Sequence, residues 1–283
     1  MIKKETRLAL RKFILAFSMF VEGKWGEKKQ GRKYRPWEMA SRKVVETDDL
    51  KIDADKPVVC WGDSMTKGSG AKFSYPMILE SLTKRKTYNF GVSGATSEEI
   101  AIMAGGLAPL KPLDSYRRIN MDFMEEYSKL RPDILILEIG SNGGWNGDYK
   151  ILIEQYKSII EQAGCEKYII VGDTDDPINS ADPKVRELAK NSGKSAINSK
   201  TGETSWDEAL KNEFGDHFFN TRLYILKNSY KMLKWKSTSF ERAEARRGNL
   251  SPRIRFDWTH FNNAGYYVKA IGIYEKGKNL GYW

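Results

Sequence analysis

From Pro57 onward the chain alternates short apolar runs with stretches of helical spacing, and that alternation limits the folds open to it. The candidate strands are 58–61, 87–90, 134–139 and 168–171, with 217–220 a weaker fifth. Between them, 75–82, 97–103, 121–130 and 149–162 carry apolar residues at helical spacing, and a last helix runs from 262 to about 274. Such alternation predicts a parallel sheet covered by helices on both faces. Right-handed crossovers then favour a three-layer α/β/α sandwich with a mostly parallel, five-stranded sheet of flavodoxin-like type. Residues 1–55 read as a basic arm and 56–283 as the folded unit. No internal repeat or low-complexity tract is present.

Parallel strands present their carboxyl ends along one edge, and ligands bind in the crevice there. Ser64, in Gly62-Asp63-Ser64, follows the first run; Gly94 follows the second; Asn142, in Gly140-Ser141-Asn142-Gly143, follows the third. Asp257 and His260, in Asp257-Trp258-Thr259-His260, lie just before the last helix. These are the chemical types that acyl transfer needs. A serine hydroxyl becomes a nucleophile when a base takes its proton, and the base needs an orienting carboxylate. The resulting oxyanion needs preorganised donors, for which the Ser64 and Gly94 N–H groups and the Asn142 amide are candidates. The three-residue spacing lets a short turn bring Asp257 to the imidazole Nδ1 of His260, leaving Nε2 for Ser64.

Each of these residues also has a plainer reading. Ser64 is suited to capping a helix, Gly94 to helix entry with Thr96 as cap, and Asn142 to a turn. His217, the second of the two histidines, is the rival base. Asp63 is expected to support the turn after the first strand rather than to act as a base.

In order and in placement, Gly62-Asp63-Ser64, Gly94, Asn142 and Asp257-x-x-His260 resemble the four blocks of the SGNH (GDSL-type) hydrolases. The resemblance covers roughly residues 56 to 275, with little of it between about 173 and 250. It implies the SGNH hydrolase fold, Ser64, His260 and Asp257 as catalytic residues, and an oxyanion hole of Ser64, Gly94 and Asn142. It also implies a serine esterase that uses neither metal nor organic cofactor. Short acyl esters are the implied substrates, with O-acetylated carbohydrate leading and lipid or lysophospholipid esters next. A non-catalytic SGNH-like binding or scaffold domain at an envelope or membrane surface is the alternative of another class. The third block departs from the family, which usually has Asp after the Asn where Gly143 stands here; that Asp is not a catalytic group.

The formal charge of +10 over 283 residues suggests nucleic acid until its distribution is seen. Residues 1–43 hold 13 Lys/Arg and 4 Asp/Glu, while the other 240 hold 34 and 33. The body is thus nearly neutral, which argues against a groove that tracks phosphates. The expected partner is a small-molecule or glycan ester, with no nucleic acid; oligomeric state is left open. Residues 13–21 form an uncharged apolar run after a basic start. Three readings stay open: an export signal, a basic amphipathic helix in peripheral contact with a membrane surface, or a helix docked on the body. The first two place the protein outside the cytoplasm or at a membrane.

Cys60 and Cys165 read as buried or half-buried free thiols. Asp173, Asp175 and Asp176 hint at a cation site, but a solvated loop fits them better. Arg117, Arg118 and Arg222 are candidates to meet an acidic substrate group, with surface placement the expectation for each. Trp61, Trp145 and Trp258 are candidates for a sugar-stacking wall or an acyl pocket.

Overall fold

The computed structural model describes residues 52–174 and 196–283, together with Glu187. The 13–21 segment, most of the basic arm, Asp175 and Asp176 lie outside the described residues. The strands are β1 (Asp53–Gly62), β2 (Arg85–Gly91), β3 (Ile134–Glu138), β4 (Tyr168–Val171) and β5 (Phe218–Phe219). They form one parallel sheet in the order β2-β1-β3-β4-β5. The α-helices among the described residues are α1 (Ser64–Lys67), α2 (Tyr75–Thr83), α3 (Ser97–Met103), α4 (Met121–Ser128) and α5 (Tyr149–Ala163), followed by α6 (Ser205–Phe214), α7 (Thr221–Met232), α8 (Ser239–Ala245) and α9 (Asn263–Asn279).

The pleat of the strands divides the core in two. Val58, Cys60, Ile134, Ile136, Ile169 and Val171 face a layer built from α2, α7 and α9. Val59, Trp61, Leu135, Leu137 and Ile170 face the opposite layer, from α3, α5 and α6. All five residues of β3 are buried, the near-continuous apolar run of a strand covered on both sides. The result is the three-layer α/β/α sandwich that the alternation predicts. Both cysteines are free and buried, and burial pushes the Cys60 thiol far up, so it stays protonated and inert.

At the end of β1 the chain turns sharply into α1 against its neighbours. A Cβ built on Gly91 would stand 2.1 Å from the Lys67 backbone nitrogen, so only glycine lets β2 pass this close to α1. Below α1 lies a buried ion pair. Lys269 of α9, fully buried, donates to both carboxylate oxygens of Glu138 at the end of β3. Thr66 Oγ1 also donates to Glu138 Oε2 (3.4 Å) and pairs with the Tyr75 hydroxyl (3.1 Å). Burial pushes the Glu138 carboxyl up, while the Lys269 charge and hydrogen bonds pull against it.

Arg222 departs from its expected surface placement. It is buried and pairs with Asp207 at 2.7 Å, joining α7 to α6, because its remaining donors reach the Gly202 and Gly248 carbonyls. No helix of the described residues is long and apolar enough to cross a membrane.

Removing one partner of a buried ion pair strands the other charge, whereas replacing both with apolar groups does not. Lys269→Met should therefore cost about 3–5 kcal/mol, and adding Glu138→Leu should recover most of that loss. Denaturant midpoints of the two variants and the parent check it.

Candidate active site

Ser64 is the first residue of α1. Asp63 caps that helix through Oδ1, which accepts from the Met65 N–H at 2.8 Å. Asp63 is thus occupied with the turn, as expected of it, and its Oδ2 accepts from the Asn142 amide at 3.0 Å. The Ser64 residue is only 9 % exposed. Its N–H sits at the first helical position, where the helix makes no use of it.

His260 approaches from the other end of the chain. Its Nε2 lies 2.9 Å from Ser64 Oγ and its Nδ1 lies 2.8 Å from Asp257 Oδ2. The other carboxylate oxygen, Oδ1, accepts from the N–H groups of Thr259 (2.9 Å) and His260 (2.7 Å). One side chain thereby folds the turn and orients the ring. With Nδ1–H donated to the carboxylate, Nε2 is left to accept from the serine hydroxyl. Partial burial pushes the Asp257 carboxyl up, but the hydrogen bonds from the His260 ring and from the two amides outweigh it and hold the group below its ordinary range. Its hold on the turn is complete above the ordinary carboxylate pKa and is lost only as pH falls through the depressed folded value.

The loop that carries Asp257 and His260 is clamped from outside. Arg255 donates to the Trp258, Thr259 and Thr174 carbonyls, and Phe256 and His260 are joined through the backbone. Asn262 caps α9 through Oδ1 and donates its amide to the Arg253 and Arg255 carbonyls. The start of α9 is pinned to the segment after Ser64: Asn263 Oδ1 accepts from the Lys72 and Phe73 N–H groups, and the Tyr266 hydroxyl donates to the Ser69 carbonyl.

Gly94 follows β2 with φ +75°, a left-handed conformation that suits glycine. Its N–H has no acceptor among the described residues. Thr96 then caps α3 in a capping box with Glu99, so the helix-entry reading of this segment holds alongside any role as a donor. Asn142 is also brought to this edge, and its amide donates both to Asp63 Oδ2 and, at 3.2 Å, to the Ala95 carbonyl. The amide is therefore already engaged, which its sequence context did not indicate. Nearby, Ser141 Oγ donates to Asp173 at 2.9 Å. No group of three or more metal-ligating side chains occurs among the described residues.

The rival base is placed elsewhere. His217 sits by the beginnings of β4 and β5, stacked on Tyr168, with Nδ1 near the Tyr282 hydroxyl and the Tyr168 carbonyl. Ser64 lies at the opposite edge, where strands end. Two of the three tryptophans are corrected as well. Trp61 is fully buried against Phe90 and Tyr127, and Trp145 is buried against Trp206 with its N–H on the Gly140 carbonyl. Both are core, because the strand pleat and a buried acceptor turn them inward; only Trp258 is half exposed.

The fold is a three-layer α/β/α sandwich with Ser64, His260 and Asp257 joined by hydrogen bonds at one edge of its parallel sheet. Residues 58–271 match the sequence model of the GDSL-like Lipase/Acylhydrolase family, and the chain belongs to that family of ester hydrolases. No curated protein matches. Among solved structures, it is similar to a member of the lipolytic protein G-D-S-L family from Veillonella parvula, with 13% identity over 78% of this chain and 97% of that one, at a TM-score of 0.45. It is also similar to a catalytic mutant of an acetylxylan esterase from Geobacillus stearothermophilus, with 13% identity over 80% and 95% of the two chains, at a TM-score of 0.48.

The two histidines should behave differently on substitution. His260→Ala should abolish ester hydrolysis, while His217→Ala should leave turnover within a few fold and lower the thermal midpoint by loosening the Tyr168–Tyr282 contacts. Paired assays of rate and melting temperature check this.

Proposed function

We propose that this protein hydrolyses carboxylic esters through an acyl-serine intermediate, with Ser64 as nucleophile, His260 as base and then acid, and Asp257 as its orienter. The observation that carries the reading is the continuous relay from Asp257 Oδ2 through the His260 ring to Ser64 Oγ, at 2.8 and 2.9 Å. In the first half-reaction, Ser64 Oγ bonds to the ester carbonyl carbon as its proton passes to His260 Nε2. The tetrahedral adduct then collapses, the bond to the alcohol oxygen breaks, and Nε2–H protonates that oxygen. Water next gives a proton to Nε2 and attacks the acyl carbon; the carboxylic acid leaves and the proton returns to Ser64 Oγ. In both adducts the negative oxygen is held by the Ser64 and Gly94 N–H groups. Asn142 joins as a third donor by turning its longer bond, to Ala95, toward the oxyanion.

The favoured substrate is a short acyl group on a polar alcohol, with O-acetylated carbohydrate first. The openness of the site supports this: the Asp257 and His260 side chains are 42% and 25% exposed. A long acyl chain draws its affinity from burial, about 0.8 kcal/mol per methylene, and an open rim provides little of it. A lipid ester is the second reading, favoured by Phe256, which is 68% exposed beside Gly70.

Ser64→Ala should lower turnover of 4-nitrophenyl acetate by roughly 10⁴-fold or more. Asn142→Ala should cost about 10²–10³-fold, because it removes one donor of three. Steady-state kinetics on purified variants checks both, and near-native turnover by Ser64→Ala contradicts the mechanism.

A further inference from the structure

An open cleft of about 520 Å³ adjoins the edge that carries Gly94, and its rim is basic. Lys67, Arg117 and Arg118 line it, with Asp122 the one acidic side chain in its wall. Among the described residues, no carboxylate lies within ion-pair distance of either guanidinium or of the Lys67 ammonium. The cleft lies beside the site through the residues that lead to Gly94. Its lining includes Gly91, Val92 and Ser93, and the Arg118 guanidinium Nε lies 3.2 Å from where a Cβ on Gly94 would stand.

The two arginines are held there by the same carboxylate that caps α3. Glu99 is buried; its Oε2 accepts from the Thr96 N–H and hydroxyl, and its Oε1 accepts from the backbone N–H groups of Arg117 (2.9 Å) and Arg118 (3.0 Å). Every one of these Glu99 contacts is to a backbone amide or to Thr96, so neither guanidinium is neutralised by it. The arginine backbone and the Gly94 loop are thus fastened to one point, while the cationic groups stay exposed and, among the described residues, unpaired beside the nucleophile's edge. An isolated surface arginine needs no explanation. Two arginines and a lysine that meet no counter-ion among the described residues around one cleft, with the arginine backbone pinned by a buried carboxylate, are suited to receive an oxyanion. Guanidinium groups suit this role because they offer parallel N–H donors to a carboxylate or phosphate.

Resting on the esterase reading above, we infer that the preferred substrate is an ester whose polar part carries an oxyanionic group, a carboxylate or a phosphate, seated against Arg118, Arg117 and Lys67. The charge is read beside the reacting carbonyl rather than at it, so the cleft selects among esters without taking part in bond making. Charge-assisted hydrogen bonds of this kind correspond to roughly 10–100-fold in kcat/KM. Because the cations are exposed, the preference should shrink as salt rises from 0.05 to 0.5 M.

The test uses the full chain and two substrate pairs in which one member carries the oxyanionic group and the other does not. One pair is mono-O-acetylglucuronic acid and its neutral primary amide; the other is 1-O-acetylglycerol 3-phosphate and 1-O-acetylglycerol. The readout is the ratio of kcat/KM within each pair, so a general loss of activity in a variant cancels. The parent protein should favour at least one anionic member by roughly 10-fold or more, and the pair that shows it distinguishes carboxylate from phosphate. Arg118→Gln and Lys67→Gln should each move that ratio toward 1, mainly through KM. Equal rates within both pairs, or a preference unchanged by both substitutions, overturns the inference and leaves the esterase reading standing. Turnover of neither member of either pair, nor of 4-nitrophenyl acetate, overturns both.

Discussion

The site depends on how the last helix docks against the turn after β1. Ser64 and His260 are 196 residues apart in sequence, and nothing local can bring them within hydrogen-bonding distance. What does so is the seating of α9, through Lys269 buried on Glu138, Asn263 on the Lys72 and Phe73 amides, and Tyr266 on the Ser69 carbonyl. Glu138 also accepts from Thr66, two residues past the serine. One buried carboxylate at the end of the central strand therefore fixes both the Ser64 turn and the helix that follows His260. A buried ion pair adds little net stability compared with an apolar contact, but it penalises any other seating of the helix by leaving a charge unpaired. Here that specificity sets the register of the two halves of the site.

Upon that frame, short-range chemistry finishes the arrangement. Asp257 spends one oxygen on the backbone of its own turn and the other on the imidazole, so the orientation of the ring is coupled to the shape of the loop. Arg255 and Asn262 close the loop from either side with bonds to main-chain carbonyls. Asp63 plays the matching part on the serine side, capping α1 and anchoring Asn142. The acid, the ring and the hydroxyl are thereby supported by residues that do not take part in the proposed chemistry, which is how a site keeps its geometry within the tolerance that catalysis needs.

Much of this was legible in the sequence, and the misses have physical causes. The strands stand out because a doubly covered parallel sheet demands apolar runs, and β4 matches its predicted span to the residue. β1 begins at Asp53, five residues earlier than expected, because its first four residues are exposed and carry no apolar signal. α7 and α8 escaped notice since they bury Thr221, Arg222, Ser229, Glu241 and Glu244, polar residues that hide the helical period. α9 runs on to Asn279, past its expected end near 274, and on the way Gly272 packs against Tyr224 and Gly277 against Trp283. Within the site, the residue types and their order were readable because the chemistry restricts them. The bonds from Asn142 to Asp63 and Ala95, the Arg255 clamp and the Lys269–Glu138 pair were not, since each joins positions whose proximity only the fold defines. Trp61 looked like part of the site because it neighbours the motif, yet the strand pleat turns it into the core.

The central claim is that Ser64 is a nucleophile activated by His260. A fluorophosphonate probe reacts covalently with an activated serine, and peptide mass spectrometry locates the adduct. The account predicts stoichiometric modification at Ser64 in the folded protein, and none in His260→Ala under the same conditions. Labelling at another residue, or unchanged labelling of Ser64 after loss of His260, would contradict it.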